Sequence, residues 1–142
     1  MIQDYKELDV WKKSVALTTE IYKLTAGFPD VERYGMTSQI RRASTSIPAN
    51  IAEGWGRGSR GEYIQLLTVA RGSLMELETH MIVASNLRLL VSDELNLVMP
   101  LIKDIEKKLN RLIAVLRNGR TKALARVPCP VSRVPKTVPR TA

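Results

Sequence analysis

The sequence predicts an all-α protein, an antiparallel up-down four-helix bundle with a disordered basic C-terminal tail. Four segments carry apolar residues at helical spacing, short polar or glycine-containing runs separate them, and no segment has the pattern of a strand. The 142-residue chain is 44% hydrophobic but only 5% aromatic, a composition that suits aliphatic helix packing. Four amphipathic helices with short connections favour an antiparallel bundle.

The first two helices are predicted over residues 8–26 and 32–55. Asp4 or Asp9 can serve at the start of the first helix, and the stretch GFPD at 27–30 ends it. Many residues of the second helix are small, so a neighbouring helix can approach closely. The core rows are Val10, Leu17, Ile21 and Leu24, with Trp11, Val15 and Tyr22 beside them, and Met36, Ile40, Ala43, Ile47 and Ile51.

The third and fourth helices are predicted over residues 60–86 and 93–116. Ser59 and Glu62 have the spacing of a capping box, and Ser92 is a candidate N-cap for the fourth helix. Pro100 falls in the second turn of that helix and can kink it, and Gly119 is a stop signal. The core rows are Tyr63, Leu67, Ala70, Leu74, Leu77 and Met81, and then Leu95, Met99, Ile102, Ile105, Leu109, Leu112 and Leu116.

The positive charge lies mostly at the C-terminus. Residues 1–116 contain 15 Lys and Arg against 14 Asp and Glu, whereas residues 117–142 contain seven basic residues, no acid and four of the seven prolines. This composition divides the chain into a four-helix bundle over 1–116 and a disordered basic tail over 117–142. The near-neutral bundle does not by its charge indicate a nucleic-acid-binding protein.

The chain offers little for catalysis or metal binding. Cys129 is the only cysteine and His80 the only histidine, so neither a disulfide within the chain nor a Cys/His metal site is expected. His80 follows Glu76 by four residues, which predicts an exposed pair on one helix. We expect no enzymatic activity and no cofactor. The N-terminus lacks a signal peptide and no run is long enough to span a membrane, so a cytoplasmic location is expected.

The stretch SIPANIAEGWGRGS at 46–59 combines a helical pattern with helix breakers. A continuous helix that is kinked at Pro48 is favoured over a new helix beginning there, because Ile47 would be a poor N-cap. Asn50 projects beside the apolar row and needs a partner, for which the carbonyl freed by Pro48 is a candidate. Asn50 and Glu53 are expected to be structural, with a ligand contact as the alternative.

The glycines of the same region match G-x-G-x-x-G, the dinucleotide-binding pattern. That pattern requires a preceding strand, whereas a helix precedes Gly56. A flexible turn between two helices is therefore the better interpretation, with glycines at positions of positive φ. Arg57 and Arg60 flank the turn and leave an anion-binding option at the start of the third helix.

The third helix has a second apolar edge. Ile64, Met75 and Ile82 lie about a quarter turn from its core row, with Arg71 and Glu78 along the same edge. A helix that is apolar on more than one face needs more than one partner. The edge belongs either to a wide core-facing surface or to a subunit interface, and we expect self-association.

Two motifs resemble a known family. QIRRASTSIPANIAEGWGRGS at 39–59 and EYIQLLTVARGSLMELETHM at 62–81 are similar to the bacterial four-helix-bundle family linked to ribosomal-RNA intervening sequences. The resemblance implies a cytosolic bundle that assembles into rings, generally homopentamers, without enzymatic activity. Accessory proteins of diversity-generating retroelements share the architecture, which suggests nucleic acid and a reverse transcriptase as partners. Pro100 and the basic tail depart from the family pattern.

The resemblance marks a set of polar and small positions whose roles are expected to be architectural. They are Arg42, Pro48, Asn50, Glu53, Gly54, Gly72, Ser73, Glu76 and Glu78.

Our first hypothesis is a non-enzymatic, ring-forming scaffold that binds nucleic acid, RNA rather than DNA, through avidity. The alternative is a protein–protein interaction module without nucleic acid, for example a reverse-transcriptase accessory subunit. A third hypothesis, an enzyme or small-molecule binder in the bundle core, has no supporting motif. The candidate nucleic-acid contacts are Arg41, Arg42, Arg57, Arg60, Arg117, Arg120 and Lys122.

Overall fold

The structure is a computed structural model that describes residues 2–119. Two short 3₁₀ helices, Tyr5–Glu7 and Asp30–Glu32, precede the first and second long helices. No strand occurs among residues 2–119, so the predicted all-α class is confirmed. The four long helices are α1 (Asp9–Thr25), α2 (Met36–Gly56), α3 (Arg60–Asn86) and α4 (Ser92–Asn118).

The four helices run alternately up and down, and each packs against two neighbouring helices. Each packs against the next helix in the chain, and α1 packs against α4 to close the bundle. Two ion pairs show the antiparallel register of α1 and α4. Asp9 Oδ2 lies 2.9 Å from Lys108 Nζ, whereas Lys13 Nζ, one turn further along α1, lies 3.3 Å from Asp104 Oδ2, one turn back along α4.

The core consists of the predicted rows with local differences. The whole predicted row of α3 is buried, which confirms its register. In α4, Val98 and Ile113 are buried, whereas the predicted Leu95, Met99 and Leu112 pack only partly against the core. The largest fully buried side chains are Leu17, Ile21, Ile40, Ile47, Ile51, Leu67, Leu74, Leu77, Met81, Ile102, Ile105 and Leu109.

Gly54 allows α2 and α3 to approach closely at one end of the bundle. A Cβ atom on Gly54 would lie 3.0 Å from Tyr63 Cδ2 and 3.1 Å from Leu66 Cβ. Beside it, the rings of Trp55 and Tyr63 meet edge to face, with centroids 6.2 Å apart. The close approach of α2 and α3 at this end of the bundle therefore depends on the missing side chain of Gly54.

The helix α2 continues through Pro48, as predicted. Because proline has no N–H, the carbonyl of Ser44 loses its usual intrahelical donor. Our candidate for that carbonyl, Asn50, is wrong. Thr18 Oγ1 on α1 lies 2.9 Å from Ser44 O and also 2.9 Å from Ser14 O, so its single hydrogen is shared between the two carbonyls. Asn50 Nδ2 donates instead to Ser46 O at 2.7 Å.

Of the N-caps predicted for the third and fourth helices, one is confirmed and one is wrong. Ser59 is the N-cap of α3 and its Oγ accepts from Glu62 N at 3.2 Å. Ser92 is not the N-cap of α4, because Val91 occupies that position and Glu94 Oε1 accepts from Val91 N at 3.0 Å. The carboxylate thus satisfies the N-cap N–H without a side-chain acceptor on Val91.

The starts and ends of α1 and α4 differ slightly from the prediction. Asp4 caps the first 3₁₀ helix, while Asp9 is the first residue of α1 and Leu8 is its N-cap. Helix α4 ends at Asn118 and Gly119, with φ +58°, is its C-cap, so the prediction that Arg117 belongs to the tail is wrong and Arg117 lies in the helix. The rest of the predicted tail, with Arg120 and Lys122, lies outside the described residues.

Candidate functional site

A cleft of about 460 Å³ lies where the α1–α2 connection meets the first turns of α2. Three arginines line it, and one acidic residue, Asp30, lies among them. The loop 26–35 places Arg33 and Tyr34, and α2 places Arg41 and Arg42. The full lining is Tyr22, Thr25, Ala26, Phe28, Pro29, Asp30, Arg33, Tyr34, Thr37, Ser38, Arg41 and Arg42.

Arg41 is held in place by α1. Its Nε donates to Thr25 Oγ1 at 2.8 Å, and its Nη2 donates to Tyr22 O at 3.3 Å. Its guanidinium carbon also lies 4.5 Å from the centroid of the Tyr22 ring, a cation–π contact. None of these partners is charged, so Arg41 is oriented but its positive charge is not neutralised.

Arg33 and Arg42 are exposed and form no ion pair within residues 2–119. The nearby Glu32 is used elsewhere, because its Oε2 accepts from Met36 N at 3.1 Å in the first turn of α2. Tyr34 is 90% exposed. The cleft therefore carries two free guanidinium groups beside an exposed aromatic ring.

A second cleft, of about 390 Å³, lies between α2 and α3. It shares Tyr34, Ser38 and Arg42 with the first, so the two are adjoining parts of one depression, which we name the Arg42 cleft. The second part is lined by Tyr34, Ser38, Gln39, Arg42, Ala43, Ser46, Ser73 and Glu76.

A polar network forms one wall of this second part. Ser46 Oγ and Ser73 Oγ are 2.8 Å apart and link α2 to α3. Asn50 Nδ2 donates to Ser46 Oγ at 2.9 Å as well as to the Ser46 carbonyl. The amide of Asn50 thus orients Ser46 and supports the cleft without lining it.

The residues marked by the family resemblance have different surroundings. Arg42, Ser73 and Glu76 line the cleft. A Cβ atom on Gly72 would meet nothing within 4 Å, so the neighbouring packing places no demand on that glycine.

Glu76 and Glu78, two of the marked acids, each contact a basic side chain. As predicted, Glu76 pairs with His80, whose Nε2 lies 3.3 Å from Glu76 Oε1. Glu78 Oε1 lies 3.1 Å from Lys103 Nζ on α4. Hydrogen bonds to Glu78 and then to Glu106 raise the pKa of Lys103 above its ordinary value.

The predicted basic contacts divide between two ends of the bundle. Arg57 follows Arg42 by 15 residues, which is about 22 Å along a helix axis. At that far end, Arg57 Nη2 donates to Glu53 Oε1, and this bond raises the pKa of Arg57 above its ordinary value. The guanidinium of Arg60 lies against Gly119 at the C-terminus of α4, and the last turn of that helix contains Arg117. One protomer therefore does not bring all the predicted arginines together.

The second apolar edge of α3 contacts α4 through its polar residues Arg71 and Glu78. Arg71 Nη1 donates to Asn110 Oδ1 at 3.0 Å, and Ile64 and Met75 pack partly against the core. These contacts agree with a wide core-facing surface. Ile82 is exposed, and its place in a subunit interface stays a prediction.

Sequence reasoning missed the loop contribution to the cleft. The sequence pattern placed Arg33 and Tyr34 in the second predicted helix, 32–55, but α2 begins at Met36 and both residues lie in the connection before it. An adjacent cation and aromatic ring are typical of nucleic-acid contacts. Ser38, Gln39 and Ser46 were regarded only as small or polar helix residues. The G-x-G-x-x-G dinucleotide interpretation is excluded, since Gly56 ends a helix and Gly61 lies in the first turn of the next.

Within residues 2–119, no group of three or more His, Cys, Asp or Glu side chains is placed to hold a metal ion. None of the described helices is both long and apolar enough to cross a membrane.

Four antiparallel helices with short connections and a polar cleft at one corner define a small helical-bundle protein. The model of the 23S rRNA-intervening sequence protein family matches residues 6–111, and the chain belongs to that family. It is also similar to the crystal structure of a protein of unknown function of the S23 ribosomal protein family from Bacteroides thetaiotaomicron. That likeness has 26% sequence identity and a TM-score of 0.66, and covers 73% of this chain and 97% of the other. No curated protein matches this chain.

Proposed function

We propose that this protein is a non-enzymatic, oligomeric scaffold that binds RNA through the Arg42 cleft. The observation that carries the proposal is the convergence of Arg33, Arg41 and Arg42 on one cleft beside the exposed Tyr34. Guanidinium groups bind phosphate oxygens with charge-assisted hydrogen bonds, and aromatic rings stack on bases. The family's description names an intervening sequence of 23S rRNA, which favours RNA over DNA.

The charges in the cleft predict weak binding by a single protomer. Each phosphate contact contributes about −0.7 to the slope of log K against log salt for a single strand, so three arginines contribute about −2. Repetition of the cleft around an oligomer raises avidity by about 10²–10⁴ when several clefts engage one RNA. A useful affinity therefore depends on self-association.

The test is fluorescence anisotropy with a structured RNA and a DNA duplex, each across a salt series. The variants are R33Q/R42Q in the cleft and R57Q as the matched control, whose charge is already paired with Glu53. A third variant has the six Lys and Arg residues after Gly119 replaced by Gln. All are full-length chains.

We expect R33Q/R42Q to weaken RNA binding about tenfold or more and to make the salt slope shallower, whereas R57Q changes little. Retention of binding by the tail variant supports a site on the bundle. Equal loss in R57Q and R33Q/R42Q, or complete loss in the tail variant alone, would refute the assignment to the cleft.

A homopentameric ring is the assembly that we propose. Several apolar residues of α3, including Val69, Ile82 and Val83, are exposed in the single chain and favour self-association. Light scattering after size-exclusion chromatography is expected to give five times the chain mass of 15.9 kDa, about 80 kDa. A monomeric mass at the concentrations used for binding would contradict the avidity argument.

A protein-interaction module is the second candidate function. Leu87, Val91 and Leu97 are exposed around the α3–α4 connection, and Leu97 is 64% exposed. Exposed apolar clusters of this kind favour a protein partner, and a reverse transcriptase is the one that the resemblance suggests. Nuclease-resistant co-purification of one defined protein, lost in the Leu97→Gln variant, would select this function.

A further inference from the structure

The two parts of the Arg42 cleft differ in chemistry. The part beside the α1–α2 connection carries Arg33, Arg41 and Arg42, whereas the part between α2 and α3 carries hydroxyls, an amide and the carboxylate of Glu76. A ligand that fits both parts has an anionic group joined to a polar group with its own donors and acceptors. A nucleotide has this composition, with a phosphate at one end and a sugar and base at the other.

The serine pair leaves one donor unused. Ser46 Oγ accepts from Asn50 Nδ2, and a single hydrogen serves the bond between Ser46 Oγ and Ser73 Oγ. Since each serine carries one hydroxyl hydrogen, the pair has a second hydrogen with no acceptor among residues 2–119. Ser73 is only 9% exposed and both hydroxyls line the cleft. The hydroxyl that keeps this hydrogen faces the cleft, where it is available to an acceptor of a ligand.

Tyr34 lies at the junction of the two parts. It lines both, and at 90% exposure its ring has almost no protein neighbour. The other tyrosine of the cleft, Tyr22, already stacks with Arg41. Tyr34 is therefore the free aromatic surface of the cleft on which a base can stack.

We propose that the Arg42 cleft binds one unpaired nucleotide of an RNA strand. The base stacks on Tyr34, Arg33 and Arg42 bind its phosphates, and the Ser46–Ser73 pair with Glu76 contacts its polar edges or sugar hydroxyls. A base within a duplex is already stacked and paired, so it cannot occupy the cleft without leaving the helix. This inference rests on the proposed function and adds a preference for single-stranded over double-stranded RNA.

The test compares a single-stranded RNA of about ten nucleotides with the same sequence as a perfect duplex. The full-length variants are Y34A, Y34F and, as the matched control on the same loop, V31A, whose parent side chain is 86% exposed. The base analogue 2-aminopurine in the single strand reports stacking by quenching of its fluorescence. Thermal unfolding of each variant is measured in parallel.

We expect Y34A to weaken single-strand binding about tenfold or more and to abolish the quenching. We expect the duplex affinity and the salt slope to remain unchanged, because a duplex does not stack a base on Tyr34 and the substitution removes no charge. The melting temperature is also expected to remain unchanged, because Tyr34 is exposed. Y34F keeps the stacking surface and is expected to bind like the parent, as is V31A. A second variant, S73A, is expected to weaken the single strand alone.

Equal binding of single strand and duplex, unaffected by Y34A but weakened by R33Q/R42Q, would overturn this inference and leave the proposed function standing. Failure of both RNAs to bind any form would overturn both. An equal effect of V31A and Y34A would also contradict the stacking role, since it would reflect a loop disturbance.

Discussion

Replacement of Gly54 by alanine is expected to separate α2 from α3, and the structure provides a control for the substitution. The new Cβ atom would lie 3.0 Å from Tyr63 Cδ2 and 3.1 Å from Leu66 Cβ, closer than carbon atoms pack in protein interiors. Leu66 Cβ is fixed to the α3 backbone, so no rotation of a side chain can relieve that contact. The helices must therefore move apart by a few tenths of an ångström.

The expected change in the free energy of unfolding has two opposing contributions. Overpacking of a well-packed core costs about 1–3 kcal/mol, while glycine to alanine in a helix interior gains about 0.8–1 kcal/mol in propensity. Gly54→Ala is therefore expected to destabilise by about 1 kcal/mol. Gly72→Ala on α3 meets nothing within 4 Å, so it is expected to stabilise by about 1 kcal/mol, and the difference between the two variants measures the steric cost.

Urea unfolding followed by far-UV circular dichroism is the assay, at one protein concentration because self-association contributes to apparent stability. The two variants are expected to differ by about 2 kcal/mol in free energy of unfolding. If Gly54→Ala were as stable as Gly72→Ala, the close approach of α2 and α3 at Gly54 would not be required, and the packing argument would be wrong.

Two further predictions concern contacts between helices. Thr18→Val removes the donor to the Ser44 carbonyl and is expected to lower the free energy of unfolding by about 1–3 kcal/mol. In a Pro48→Ala background the loss is expected to be smaller, because the backbone N–H of residue 48 can then donate to that carbonyl. Additive effects of the two substitutions in this double-mutant cycle would contradict the pairing. The hydrogen bond from Lys108 lowers the pKa of Asp9 in the folded chain. Its stabilisation is therefore present above the ordinary carboxyl pKa of 3.8 and is lost as the pH falls through the lower folded value. Asp9→Asn is expected to reduce the loss of melting temperature on acidification from about pH 5 to pH 2, and an unchanged profile would refute it.

The fold was predictable because the apolar periodicity repeats over many turns. The α3 row from Tyr63 to Met81 specifies one buried face with little ambiguity, and its bounds agree with the structure. In α4 several apolar residues lie side by side, so the sequence offers two possible registers around Leu112 and Ile113. The orientation of α4 against α1 and α3 decides between them, and no local pattern contains that information.

Local polar contacts were less predictable than the helices. The partner of the Ser44 carbonyl lies on another helix, 26 residues away at Thr18, and only the packing of α1 against α2 brings it there. Similarly, Val91 can begin α4 because Glu94 reaches back to its N–H, although Ser92 is the better N-cap by residue type. A contact from another helix in the first case, and a downstream carboxylate in the second, decides the pairing against the preference of the local residue type.

The positive charge of the candidate site was also not predictable from the overall composition. Composition places nearly all excess positive charge after residue 116, and the remaining 15 basic and 14 acidic residues almost cancel. Within the bundle this cancellation is not uniform, since Arg57, Lys103 and Lys108 have acidic partners, whereas Arg33 and Arg42 have none among the described residues. Other basic residues of the described chain, including Lys107 and Arg111, also have no acidic partner, but Arg33 and Arg42 lie together in one cleft on a nearly neutral body. Net charge alone therefore does not exclude an RNA site on this bundle.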